Sequence, residues 1–246
     1  MKVAAYQASL LPIGSPHSRA IELIRERVRR CEVDGVSILC CPEAVLGGLA
    51  DYAADPGAIA IERGALHNVL APLASNSVTT IVGFTELADG LFFNSAAVLH
   101  RGVVMGIYRK RHPALRRSIY AAGDEAGVFT VGDVVLGILI CNDSNYPELA
   151  RHAAARGATL LVVPTNNALP PERADVVADA RRVDTACAIH HRIAVVRADV
   201  TGRTDGLVSY GSTGITASDG SLVQTAHALT AEVVVADLRV ETAIHT

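Results

Sequence analysis

Apolar positions along this chain fall into two rhythms. Lys2–Gln7, Val36–Cys41, Val78–Glu86, Val134–Ile140 and Thr159–Val163 are short, nearly unbroken aliphatic runs, the pattern of strands covered on both faces. Between them apolar residues recur at helical spacing. Ile21, Ile24, Val28 and Cys31 mark the inner face of a helix over Ser18–Glu32, and Gly35 supplies its stop. Ile61–Ser75 predicts a weaker helix, and Glu172–His191 a long one. Pro147–Arg156 predicts another, with Pro in its first turn and Gly157 just past its end. Phe93–Leu99 and Val103–Tyr108 flank His100–Arg101–Gly102 as a hairpin. Ile193–Val200, Gly214–Ala217, Leu222–Ala226 and Glu232–Asp237 read as closing strands, with Asp219–Gly220 as a turn between two of them.

Strand–helix–strand units mixed with hairpins imply a mixed sheet, or paired sheets covered by helices. No linker rich in Pro, Gly or Ser divides the chain and no repeat is evident, so residues 1–246 are expected to form one domain. Composition sharpens the core: half the residues are hydrophobic but only 4% are aromatic and none is Trp, so the interior is aliphatic. The formal charge is −3, and the Arg25–Arg30 segment is interleaved with Glu22, Glu26 and Glu32 as on a solvated helix face. With no basic stripe, nucleic acid is not an expected partner. The apolar runs are far shorter than the ~20 residues of a membrane helix, and the opening MKVAAYQASL is too short in apolar run for a signal peptide. No membrane partner is expected. Five scattered cysteines (Cys31, Cys40, Cys41, Cys141 and Cys187) make no disulfide framework and point to the cytoplasm.

Three positions carry candidate chemistry. Cys141 ends the run VVLGILIC and precedes a polar turn, Asn142–Asn145, that leads into the helix at Pro147. A thiol at such a place can have its thiolate stabilised by backbone N–H groups, which also begin an oxyanion hole. The bland alternative is a buried cysteine acting as a small hydrophobe. Glu43 follows a strand through Pro42, where a carboxylate at a cleft mouth serves as general base; otherwise it is a solvated loop residue. Lys110 sits in the basic run Arg109–His112, either an exposed turn or a fixed ammonium beside a thiolate. Each lies just past the end of an expected strand, where an open sheet gathers its site. The pairs Cys40–Cys41 and His190–His191 lack the spacing of a zinc site, so no metal is expected. A Cys–His dyad with His112 or His152 has no local signature.

These segments together resemble the nitrilase, or carbon–nitrogen hydrolase, superfamily nearly end to end. KVAAYQ resembles its first strand, and CPEAVLGG the segment that carries its catalytic Glu. FFNSAAVLHRG is similar to its hairpin, and IYRKRH to the segment of its catalytic Lys. GILICNDSNYPELAR resembles the surroundings of its nucleophilic Cys; GATLLVVPTN and YGSTGITASDG follow in order. The resemblance implies an α/β fold, a four-layer α-β-β-α sandwich, usually as a homodimer or a higher homo-oligomer. It implies a Glu43–Lys110–Cys141 triad with the backbone N–H of Asn142 helping to hold the oxyanion, and no metal or organic cofactor. The implied reaction cleaves a small amide, N-carbamoyl compound or nitrile through a thioester, with linear amides and N-carbamoyl compounds favoured over nitriles.

Two departures qualify it. Many members carry a second Glu between the Lys and the Cys, a few residues before a Gly–Asp pair; here ALRRSIYAAGD puts Arg116–Arg117 in its place. Asn142 stands where an aromatic residue often follows the Cys. The missing Glu keeps a second reading alive, a non-catalytic binding or scaffold protein on the same fold, and a third reading makes Cys141 a redox sensor. The expected pocket loops, Ala44–Asp55, His112–Ala122 and Asn166–Ala174, hold few aromatics and several Arg residues. They suggest a small polar or anionic substrate met by Arg116, Arg117 or Arg173.

Overall fold

The computed structural model describes residues 1–115 and 117–239. In chain order its principal elements are β1 (Lys2–Ser9), α1 (His17–Asp34), β2 (Ile38–Cys40), α2 (Pro56–Ile59), β3 (Ile61–Glu62), α3 (Leu66–Leu70), β4 (Thr79–Ala88), β5 (Leu91–His100), β6 (Val103–Arg109) and β7 (Tyr120–Ala121). There follow β8 (Val128–Val131), β9 (Val134–Ile138), α4 (Pro147–Ala155), β10 (Leu160–Pro164), α5 (Val177–His191), β11 (Ala194–Ala198), β12 (Val200–Thr204), β13 (Leu207–Ser209), β14 (Gly214–Thr216), β15 (Leu222–Thr225) and β16 (Glu232–Asp237).

Two mixed sheets result. The first runs β13-β12-β1-β2-β4-β5-β6, with β16 also paired to β1, and the second runs β15-β14-β11-β10-β9-β8. Strands β1, β2 and β4 are parallel, as are β9, β10 and β11, while β4, β5 and β6 form an antiparallel meander. Parallel neighbours demand helical crossovers, which lie on the outer faces.

The side-chain alternation of β1 explains why its run is apolar throughout. Val3 and Ala5 face the second sheet in a core with Ile138, Leu160 and Val196. Ala4 and Tyr6 face outward against Ile21, Ile24 and Val28 of α1. Helices α4 and α5 cover the far side of the second sheet through Leu149, Ala153 and Ala188 on Leu161, Val163 and Val195. The layers are therefore α-β-β-α, as the resemblance implied. Helix α1 ends where expected: Gly35 adopts φ 70° and its N–H reaches the carbonyls of Cys31 and Glu32.

Three expectations need correction. The Ile61–Ser75 helix is only the short α3 between two 3₁₀ turns, because Ile61–Glu62 is drawn into pairing with the end of β4 and Pro72 breaks the run. The long helix begins at Val177 instead of Glu172, since Pro170–Pro171 sets a separate 3₁₀ turn over Pro171–Arg173. Finally, Ile193–Val200 is two strands in different sheets: β11 pairs with β10, and β12 pairs with β1. Strands β7, β8, β12 and β13 were not foreseen as elements.

Candidate active site

Glu43 leaves β2 through Cys41 and Pro42, and its backbone is set by a close approach to β4. A Cβ on Gly83 would stand 2.6 Å from Ala44 N and 2.6 Å from Glu43 Cα, so only glycine lets the chain pass there. The Glu43 side chain is 1% exposed. Its Oε1 accepts from Lys110 Nζ at 2.6 Å and from Asn94 Nδ2 at 2.7 Å, and its Oε2 from the Asn166 N–H at 2.9 Å. Those donors come from the end of β6, from β5 and from the exit of β10, so the carboxylate ties the two sheets together.

Lys110 is also buried, 4% exposed, directly after β6. Its N–H donates to Asn94 O at 2.8 Å. Burial works against its ammonium, but the facing Glu43 carboxylate outweighs that and holds the lysine above its ordinary range.

Cys141 follows β9 and adopts φ 48°, a left-handed backbone uncommon for a residue with a Cβ. The turn Cys141–Asn145 that holds it is fastened by Asp143, 0% exposed. Asp143 accepts from Ile140 N at 3.1 Å, from Tyr108 OH at 2.8 Å and from His112 N at 2.8 Å. On the other side Ser144 Oγ donates to Cys141 O at 2.8 Å and accepts from Arg197 Nη2 at 3.1 Å. Arg197 is itself buried and clasps Asp184 through Nε at 2.7 Å and Nη2 at 2.5 Å.

The resting thiol is not the stabilised thiolate that the turn suggested. Burial of the sulfur, then the Glu43 carboxylate, push it up to about 12, against the opposing pull of Lys110 and Arg197. Its S–H points to Asn167 Oδ1 at 3.8 Å. A neutral nucleophile of this kind requires a base at the moment of attack.

Glu43, Lys110 and Cys141 line one cavity of about 400 Å³. All three expected loops contribute walls, including Asp51, Leu115 and Asn166. Asn142 lines it too, with its Nδ2 tied to His112 O at 3.1 Å. Arg173 stands exposed at its edge beside the Arg182–Asp179 pair, which closes at 2.8 Å. Arg117 is a correction: it is exposed and does not line the cavity, because Ser118 and Ile119 are pinned to Asp51 and carry the loop on to Tyr120. Arg116 lies outside the described residues. Neither His112, which stacks on Tyr146 at 3.6 Å, nor His152 lines the cavity. Among the described residues no group of three His, Cys, Asp or Glu is placed to hold a metal ion, and no helix is long and apolar enough to cross a membrane.

The sequence reading passed over Asn94, Arg197 and Asp199, and it placed Asn166 and Asn167 in an expected pocket loop without giving them a role. A signal existed for most of them. Asn94 and Arg197 interrupt apolar strands, and Asn166–Asn167 follow the end of β10 by the same strand-end rule that singled out Cys141. Asp199 joins β11 to β12 and is fully buried; burial pushes its carboxyl up, while donors from Asn167 and Ser212 pull it back.

The family model described as carbon–nitrogen hydrolase matches residues 2–246, and the chain belongs to that family. It is 31% identical over 231 residues to a hydrolase of Pseudomonas protegens, covering 91% of this chain and 78% of that one. It is 28% identical to a nitrilase of Pyrococcus abyssi, covering 97% and 89%. A glutamine-dependent NAD(+) synthetase of Xylella fastidiosa is 28% identical over 92% of this chain, which spans only 42% of that relative's length. An amidase of Nesterenkonia sp. AN1 superposes with TM-score 0.81 at 23% identity, covering 97% and 93%, and has the same fold.

Proposed function

We propose that this chain hydrolyses a small amide or N-carbamoyl compound through a thioester on Cys141. The observation that carries the reading is the buried Glu43–Lys110 pair, 2.6 Å apart, on the same cavity as a thiol kept protonated until a base removes its proton. In the proposed sequence Glu43 takes the Sγ proton as the thiolate attacks the substrate carbonyl carbon. Lys110, with two ammonium protons left after its bond to Glu43, and the backbone N–H of Asn142 hold the resulting oxyanion. The intermediate collapses, the proton returns from Glu43 to the nitrogen, and ammonia or an amine departs. Glu43 then deprotonates water, which attacks the thioester, releases the acid and restores the thiol. Support also comes from a Glu-to-Gln mutant of the Nesterenkonia amidase, which shows covalent addition of the acetamide moiety of fluoroacetamide at the active-site cysteine. Likeness to the glutamine-dependent synthetases adds the side-chain amide of glutamine to the substrates worth testing.

The test is ammonia release from a panel of short linear amides, glutamine, N-carbamoyl amino acids and nitriles, with Cys141→Ala as control. Release by wild type and not by the variant is expected. Equal release by both proteins, or none by either across the panel, would sink the reading.

A further inference from the structure

Asn167 holds a fixed acceptor beside the nucleophile. Its amide orientation is settled by its neighbours: Nδ2 donates to Asp199 Oδ2 at 3.0 Å and to Ser212 Oγ at 3.1 Å, and its backbone N–H donates to Asp199 Oδ1 at 3.0 Å. Asp199 is filled with donors, for it also receives Val200 N at 2.8 Å, Ser212 N at 2.9 Å and Ser212 Oγ at 2.7 Å. An ionised carboxylate is acceptor-only, so the amide cannot turn over without setting its carbonyl against a carboxylate. Asn167 Oδ1 is thereby left facing the cavity, where the Cys141 S–H, a weak donor, is its only partner among the described residues.

We propose that Asn167 selects for a substrate N–H: its Oδ1 accepts a hydrogen bond from the nitrogen of the scissile amide or carbamoyl group. An N–H is a far better donor than a thiol, so the substrate displaces the Cys141 proton from Oδ1 and leaves it to Glu43. Nitriles and esters bring no such hydrogen and leave Oδ1 without a stronger partner, the situation in which a site built for a hydrogen bond discriminates most. Asp199 and Ser212 are positioning residues that act through Asn167. The inference rests on the hydrolase reading above and narrows its substrate to compounds with at least one hydrogen on the scissile nitrogen.

The experiment compares kcat/KM for a primary amide with that for the methyl ester and the nitrile of the same acid, in wild type and in Asn167→Ala. Ser212→Ala, which removes one of the two anchors of Nδ2 without touching the cavity acceptor, is the second variant should Asn167→Ala fail to fold. The expected result is an amide-to-ester ratio at least about tenfold lower in Asn167→Ala, and lower by a few-fold in Ser212→Ala. Amide and ester rates falling in parallel in both variants would overturn the inference and leave the hydrolase reading standing. So would wild type taking the nitrile as well as the amide. Wild-type silence on amide, ester and nitrile alike would overturn both.

Discussion

The ion pair at the centre of the site makes the sharpest energetic prediction. Lys110→Met keeps the aliphatic bulk of the side chain and removes its charge, leaving the Glu43 carboxylate, 1% exposed, with only Asn94 Nδ2 and the Asn166 N–H as donors. Removing one partner of a buried pair costs roughly 3–5 kcal/mol. The two surviving charge-assisted bonds put this case at the lower end, about 3 kcal/mol. In a chain of this size that lowers Tm by about 6–12 °C. Adding Glu43→Gln to Lys110→Met removes the orphaned charge, so the double variant is expected to be more stable than Lys110→Met alone. The assay is urea unfolding at pH 7, followed by circular dichroism, with the m-value compared across variants. That pH is well chosen. The Lys110 ammonium is favoured by folding, so its contribution is fully present below the unfolded lysine value of ~10.4 and lost only as pH rises through the higher folded value. A loss under about 1 kcal/mol for Lys110→Met, the range of exposed ion pairs, would refute the reasoning, and so would a double variant less stable than the single.

Three further outcomes follow from the same geometry. Gly83→Ala, whose Cβ would press on Pro42, Glu43 and Ala44, should displace the carboxylate and lower kcat by about a hundredfold, measured as ammonia release from the best amide of the panel. Because burial and Glu43 hold the Cys141 thiol up to about 12, its modification by methyl methanethiosulfonate should quicken about tenfold per pH unit from pH 7 to 11. A plateau near the ordinary ~8.5 would contradict that placement. Tyr108→Phe removes the donor that reaches Asp143 at 2.8 Å, a bond to a buried carboxylate worth about 1.5–3 kcal/mol by urea unfolding. It should also slow Cys141 chemistry, because Asp143 fastens the turn that carries the thiol.

Much of this site was legible because strand ends are. Glu43, Lys110 and Cys141 each lie just past the end of an apolar run, and the periodicity that found those runs marked all three as candidates; it was the resemblance of the surrounding segments that joined them as a triad. Helix α1 was legible for a similar reason: Ile21, Ile24, Val28 and Cys31 state its buried face and Gly35 its end. Ile61–Ser75 misled because its apolar spacing carries no cap and includes a proline, and the pull that decides Ile61–Glu62 is a strand neighbour some twenty-five residues on, at Glu86–Leu87. Arg117 misled because the course of its loop depends on Asp51, far back in the sequence, which accepts from the Ile119 N–H.

What periodicity does not encode is which sheet a strand joins. Ile193–Val200 is one apolar run in sequence, yet the chain leaves the second sheet after Ala198 and enters the first at Val200. That crossing puts Asp199 where five donors converge, and it puts Arg197, one residue short of the end of β11, behind the Cys141 turn. Both charges interrupt an aliphatic run, a local conflict that folding alone disfavours and that marks strained or functional places. Asn94 in β5 is a third case, and it too touches Glu43. The rule needs a second condition, because Glu86 in β4 is fully buried and bonds Arg109 and Ser95 away from the cavity. The difference is what lies opposite: Glu86 meets its partners within its own sheet, whereas Asn94, Arg197 and Asp199 belong to hydrogen-bonded networks that link the two sheets or the turns leaving them. A polar residue inside an apolar strand is thus evidence for this site when its partners come from another layer, and that partner choice is information only the folded chain supplies.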